Sequence, residues 1–364
     1  MKLRAVKKSK ADDYLIYDEQ TGKYREDPEQ MVRDDVEKHR WKHIGLTILK
    51  DWRLYVMLVP MILVFFFWRY MPMYELLRVF KIEDGIKSVS EQFYSGFAYF
   101  KELFSGSTKL SIEFWRAFRN TFLLSFYGLC FGFPMPIIIA LFFNEIKSNI
   151  ARSFYQVLTY LPKFMSTVVM TSLITMLVRA SSPLAGIEMG VISRLLVNIG
   201  AISQEAGEAG MLSQPEYFRA IYQISGIWET AGYDSIVFFA AIIAISPTNY
   251  EAAQIDGANK WAQMRYVVLP SILSTVVIML ITRIGSLLNV GYEKVLLLSE
   301  GHLDTYETAD VVATFANRYA LEDSGSSVGY GITSAAEMIN NVIGMLLVIG
   351  ANSIARKAAD VSLY

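Results

Sequence analysis

Four ionisable side chains sit inside long apolar stretches of this chain: Glu229 and Asp234 in one, Arg283 in the next and Glu337 in the last. A charge at such a position is costly and faces a cavity or an opposite charge. Trp228, Tyr233, Asn289, Tyr292 and Asn340 stand close to them in sequence. Carboxyl and amide groups next to flat aromatic faces can receive a hydroxylated solute, with the polar groups bonding hydroxyls and the rings of Trp228 and Tyr233 stacking on an apolar face. The same residues also admit a structural reading, in which Glu229 or Glu337 pairs with Arg283 and glues helices together. The sequence leaves both open.

A second constellation suits docking rather than catalysis. Glu251-Ala252-Ala253 is followed by Asp256-Gly257 and, after nine residues, by Val267-Val-Leu269-Pro270. Ser246-Pro247 reads as a helix start, with Ser as N-cap and Pro at the first helical position, where its missing N–H costs nothing. Thr248 to Asp256 then gives about two turns. Glu251 and Ile255 are four apart and share a face. Ala252 and Ala253 keep the helix thin enough for another protein to approach closely. Gly257 permits the left-handed turn that ends a helix. Residues 258–266 read as a second short helix, and Leu269-Pro270 re-enters an apolar run.

These residues need a membrane bundle to position them. The chain has 364 residues, 53% hydrophobic and only 19% charged. Its apolar blocks are long enough to cross a hydrocarbon core of about 30 Å, which takes roughly 20 helical residues. The expected fold class is all-α, a polytopic membrane protein with six spans at about 54–75, 119–143, 160–179, 218–245, 266–288 and 330–353. Pro134 and Pro136 inside the second span imply a packed bundle whose neighbours re-satisfy the freed carbonyls. Residues 1–53 form a polar tail of mixed charge and 54–364 the span-bearing domain, with the docking loop at 246–266. The polar first 50 residues predict no cleavable signal peptide, so Leu54 to Trp68 would serve as signal-anchor. A helix lying on the membrane surface is expected over 29–50. Six spans put both termini on one side. Lys38, Arg40, Lys42, Lys50 and Arg53 beside the first span place that side in the cytoplasm, as does the docking loop between spans four and five.

The spacing of Glu251-Ala252-Ala253, Gly257 and Leu269-Pro270 resembles the EAA loop of the membrane subunits of binding-protein-dependent ABC importers, with Val267 in place of the usual Ile. The resemblance extends over roughly residues 50–364. It includes Arg69-Tyr-Met-Pro-Met-Tyr74, Asn120-Thr-Phe-Leu-Leu-Ser-Phe-Tyr127, Asn144-Glu145, Tyr160-Leu-Pro162, Ile284 through Val295, Tyr306-Glu-Thr-Ala-Asp310 and the ending Ser362-Leu-Tyr364. These segments are similar, in this order, to the LplB-like group of polysaccharide and oligosaccharide permeases. Asp234 departs from that group, where Gly is usual.

The resemblance implies a type I importer permease in a bacterial cell membrane, with N- and C-termini cytoplasmic. The implied partners are a second homologous permease, two cytoplasmic ATPase subunits, an extracytoplasmic solute-binding protein and a sugar substrate. It implies that Glu251, Ala252, Ala253, Asp256, Gly257, Leu269 and Pro270 form the coupling loop to the ATPase. It also implies that ATP and Mg²⁺ bind to the partner ATPases, with no cofactor on this chain.

Other chemistry is poorly represented. A phosphate-binding G-x-x-x-x-G-K-[ST] is missing, and no nucleophile–base set stands out, so a non-catalytic subunit is expected. His39 and His43 are four apart but lack a third ligand nearby, which favours a solvated or surface helix over a metal site. Cys130 is the only cysteine and reads as a packing residue. Lys163, after Pro162, reads as snorkelling to the interface. Net charge is −1, which suggests no nucleic-acid partner. The rival reading is an ion-coupled secondary transporter or channel using Glu229, Asp234, Arg283 and Glu337; the lack of a visible inverted repeat speaks against the common plans for such proteins.

Overall fold

The structure is a computed structural model that describes residues 15–18, 23–26, 49–82, 93–94, 96–182, 186–299, 305–322 and 328–359. His39, His43, nearly all of the helix expected over 29–50 and the Ser362–Tyr364 ending lie outside the described residues.

The chain forms two compact units, Met1–Leu76 and Leu77–Tyr364. In the first, β1 (Leu15–Asp18) and β2 (Lys23–Glu26) pair antiparallel with Leu15 opposite Glu26 and Asp18 opposite Lys23. This hairpin stands inside the segment read as a plain polar tail. Helix α1 (Trp52–Phe65) carries Pro60 and runs on through a π-helical turn, Phe66–Tyr70, into a 3₁₀ segment that begins at Met71. The expected interruption around Arg69 and Pro72 therefore takes the form of a change in winding. Every residue from Trp52 to Tyr74 is exposed.

The second unit opens with a two-residue ladder, β3 (Lys81–Ile82) against β4 (Phe93–Tyr94), and a short helix α2 (Ala98–Phe104). Thr108 caps α3 (Lys109–Tyr127) by accepting the Ser111 N–H at 3.2 Å. A π-helical turn at Gly128–Gly132 joins α3 to α4 (Pro134–Glu145) without a break, making a 37-residue span that starts about ten residues before the hydropathy does. The π turn, in which the Phe133 N–H donates to the Gly128 carbonyl at 3.0 Å, lies where Pro134 and Pro136 supply no N–H to the carbonyls of the preceding turn.

The third span differs most from expectation. It consists of α5 (Asn149–Tyr160) with a 3₁₀ turn to Phe164, followed at 100° by α6 (Thr167–Val178). Twelve residues rise only about 18 Å, too little for the hydrocarbon core, so where one continuous span 160–179 was expected the structure has a sharply bent helix pair. Leu161-Pro162 ends the first piece and Ser166 caps the second by accepting the Val169 N–H. Two short helices, α7 (Val191–Asn198) and α8 (Gln204–Ala209), precede α9 (Pro215–Ile243), the straight fourth span.

Then come α10 (Pro247–Ile255), α11 (Lys260–Gln263), a π turn Met264–Val268, α12 (Leu269–Ser271) and α13 (Leu273–Gly285). The fifth span bends by 61° between Ser271 and Leu273, just after Pro270. Short helices α14 (Tyr292–Ser299), α15 (Tyr306–Ala309) and α16 (Val312–Glu322) lead to α17 (Val328–Ala359), the last span. Among the described residues, four helices are long and apolar enough to cross a membrane, and counting each bent pair as one span gives six.

Three apolar cores hold this unit. One gathers Leu124, Ile174, Phe218, Ile221, Val295 and Leu298 around the start of α9. A second joins Leu103, Phe114, Phe315 and Ala335, that is α2, α3, α16 and α17. The third lies beneath the 246–266 loop and joins Ala140 of α4, Phe238 and Ile242 of α9, Val268 and Ile272, with Tyr250 of α10 packed on it. Between α5 and α9 the backbones touch: a Cβ at Gly232 would lie 2.2 Å from the Thr159 carbonyl oxygen.

Candidate functional site: a docking loop and a polar seam along the fourth span

The loop folds as its residues dictate, with one difference. Pro247 occupies the first turn of α10, but the Ser246 hydroxyl makes no capping bond; its carbonyl accepts the Asn249 N–H at 3.0 Å instead. Gly257, at φ +77°, ends the helix, and nothing lies within 4 Å of where its Cβ would be. Asn259 then caps α11 by accepting the Ala262 N–H at 2.9 Å, and Gln263 donates to the Ala258 carbonyl at 3.0 Å. The second short helix thus begins at Lys260 and winds as a π turn from Met264. Glu251, Ala252, Gln254, Ile255, Asp256 and Gly257 are exposed, Ala253 half-buried, and Leu269 and Pro270 exposed. Ile255 is 86% and Trp261 76% exposed, a large apolar offering from a loop this short.

The loop is tied to the end of α4. Lys260 Nζ lies 3.3 Å from Glu145 Oε2. The half-buried Tyr250 hydroxyl faces Asn144; burial raises its pKa, Asn144 partly offsets this and the Glu145 charge adds to it.

Inside the bundle the ionisable residues separate into two sets. Glu229 Oε2 accepts from Lys294 Nζ at 2.9 Å, both side chains being mostly buried, and Lys294 also sits over the Tyr222 ring at 5.4 Å. Of the two readings left open for Glu229, this supports the structural one, with Lys294, at the start of α14, as partner in place of Arg283. Arg283 and Asp234 instead line a cavity of about 180 Å³ with Thr230, Thr282, Ser286 and Phe133. Lys163 lies in the 3₁₀ turn at the span break and is exposed. Arg283 is exposed and forms no ion pair among the described residues.

The remaining candidates are scattered. Tyr233 meets Phe164 edge-on at 5.9 Å. Asn340 is buried and donates to the Leu288 carbonyl at 3.1 Å, leaving its Oδ1 without a partner. Glu337, Asn289 and Tyr292 are exposed. Trp228, 46% exposed, lines two apolar concavities, one against Ile174 and Leu196, the other against Met135 and Leu161.

A third concavity of about 630 Å³ shares Ile224, Ile227 and Met135 with these; its lining is mostly apolar but includes Tyr127, Phe131, Arg219, Gln223 and Glu216. Arg219 donates to Asn120 Oδ1 at 3.0 Å while its Nε is buried without a partner. None of these residues was singled out from the sequence. The available signal was Glu216, Arg219 and Gln223, spaced three and four apart at the start of α9.

The segment that carries the loop and most of α9 matches a known family. Residues 132–292 match the model of the binding-protein-dependent transport system inner membrane component. Protein LplB of Bacillus subtilis (strain 168) is 30% identical over 318 residues, 87% of this chain and 93% of that protein. The polygalacturonan/rhamnogalacturonan transport system permease protein YteP of the same organism is 30% identical over 327 residues, 90% and 95% of the two chains. Among solved structures, a chain of a bacterial ABC transporter involved in the import of the acidic polysaccharide alginate superposes with a TM-score of 0.73 at 37% identity, covering 87% of this chain and 99% of that one. The same system in complex with an alginate pentasaccharide-bound periplasmic protein gives 0.73 at 38% identity. The chain belongs to the inner membrane components of binding-protein-dependent transport systems: it is a multi-pass permease of an ABC importer.

Proposed function

We propose that this permease conducts oligosaccharide fragments of acidic polysaccharides, delivered by an extracytoplasmic binding protein and driven by ATP hydrolysed on two partner subunits. The observation that carries the coupling half is the bare loop: a two-turn helix ending at Gly257 presents Glu251, Ala252 and Ile255 with none of the described residues over them. Exposed apolar side chains on a rigid, short helix are what a partner's cleft takes up. ATP and Mg²⁺ belong to that partner, and a second permease chain completes the path. With both termini in the cytoplasm, the loop meets the ATPases there.

The substrate half rests on the α9 seam and on the cargo named for the relatives. Tyr127, Phe131 and Trp228 offer faces for pyranose rings, while Arg219 and Gln223 offer donors for carboxylate and hydroxyl oxygens. Arginine is the residue suited to a planar carboxylate. Deeper in the span, Asp234 and Arg283 continue the polar lining, with Tyr233, Asn289, Tyr292, Glu337 and Asn340 as further candidates. Glu229, held by Lys294, serves as an internal strut.

The test is reconstitution of the purified complex in liposomes with its binding protein and labelled digests of alginate and polygalacturonate. Uptake that requires ATP inside and the binding protein outside is expected. A chain that purifies without a P-loop ATPase, or uptake driven by an ion gradient alone, would sink the proposal in favour of a secondary transporter.

A further inference from the structure

Among the described residues, the 246–266 loop is held not only by its own flanking spans but also by the end of α4, where the second span meets the loop. Lys260 Nζ reaches Glu145 Oε2 at 3.3 Å, and the Tyr250 hydroxyl faces Asn144, one residue earlier on α4. Beneath them, Tyr250 and Val268, on opposite arms of the loop, pack into the same core as Ala140 and Leu141 of α4. Arg152 bonds the carbonyl of Ile146, next after Glu145, at 2.8 Å, so the end of α4 is itself held in place.

We propose that Asn144 and Glu145 act as positioning residues that grip the coupling loop through Tyr250 and Lys260, so that movement of the loop is carried into the second span as well as into spans four and five. The proposal rests on the coupling reading of the loop. An ion pair as exposed as Glu145–Lys260 adds little to stability; its value lies in direction. A two-turn helix hinged only at its ends is free to rock about its own axis, and two contacts to a third element at Tyr250 and Lys260 remove that freedom. Motion imposed on the exposed face of α10 then becomes displacement of α4 rather than local rotation. Span two also carries Tyr127 and Phe131 of the 630 Å³ concavity, so the clamp would link the loop to one wall of the proposed path.

The chain contains its own reporter. Cys130 is the only cysteine, it is exposed, and it sits in the π turn just before α4. The experiment measures maleimide labelling of Cys130 in the assembled complex, nucleotide-free and trapped with ATP and vanadate. In the native chain the labelling rate is expected to differ between the two states by at least about twofold. Glu145→Lys and Lys260→Glu each reverse one charge and are expected to abolish that response, while the double exchange restores it. Tyr250→Phe, which removes only the hydroxyl, weakens it.

Single reversals that respond like the native chain, a double exchange no better than the worse single, or a native Cys130 indifferent to nucleotide would each overturn the clamp. Glu251→Lys is the separate arm. If it disrupts ATPase retention or the Cys130 response while the α4 variants do not, the clamp alone fails; if it changes nothing, the coupling reading fails with it. The double exchange keeps the test decisive even where a single reversal prevents assembly.

Discussion

Two acidic residues five positions apart on α9 have opposite fates, and the difference lies in what faces each. Glu229 is met by Lys294 at 2.9 Å with side chains 18% and 13% exposed. Removing one partner of such a pair leaves an uncompensated charge, so Lys294→Met is expected to destabilise the permease by about 3 kcal/mol or more. Thermal unfolding in detergent measures this, and Glu229→Gln on top of it should recover most of the loss. Arg283, by contrast, is exposed toward the Asp234 cavity with no ion pair among the described residues. Arg283→Gln should leave the melting temperature unchanged and lower oligosaccharide uptake by roughly tenfold, the loss of one charge-assisted bond; unchanged uptake would remove Arg283 from the path. The sequence picked out all four of these carboxyl and guanidinium groups by type but left open whether Glu229 was paired, and Lys294 was not among the partners it offered. Lys294 is 65 residues further on, at the start of a short helix, and no periodicity fixes which neighbour such an element presents.

At the scale of elements, two glycines separate backbone conformation from packing. Gly257 has φ +77° and open space around it, so alanine there costs only the left-handed backbone penalty, about 1 kcal/mol. Gly257→Ala should assemble normally and show a reduced ATPase response to the binding protein. Gly232 is helical, and an added Cβ would lie 2.2 Å from the Thr159 carbonyl oxygen, which forces α5 away from α9. Gly232→Ala should therefore lower the melting temperature of the permease while leaving the loop intact, a contrast readable by comparing the two variants in one unfolding assay. The 246–266 loop was nearly complete in the sequence because Pro247, Asn259 and Gly257 act locally. The third and fifth spans were not, since an apolar window registers length and composition but not the 100° and 61° bends that follow Pro162 and Pro270.

Across the whole molecule, the polar contacts concentrate at three levels of the bundle, and they are mechanically connected. Away from the loop, fully buried Asp310 accepts from Thr314 at 2.8 Å and pairs with Arg318 at 3.0 Å and Arg116 at 3.4 Å, while Asn120 donates to the Asp310 carbonyl and accepts from Arg219 of α9. Burial alone would lower the Arg318 pKa, but Asp310 and Glu113 outweigh it and hold the guanidinium charged. These bonds fix α3, α9 and α16 to one another at that level, which is why Asp310→Ala should cost about 3 kcal/mol or more and be read as a lower melting temperature. Near the loop, α13 runs from the bend after Pro270 to Arg283, and α9 carries Asp234. A body tied at the Asp310 level and pushed at the loop level must shear between the two, and the Asp234–Arg283 cavity lies there. With Cys130 replaced by Ser, a cysteine pair at 234 and 283 is expected to cross-link at different yields in nucleotide-free and vanadate-trapped complexes. Equal yields in both states would mean that the loop moves without the path, and that spans four and five travel as a single rigid piece.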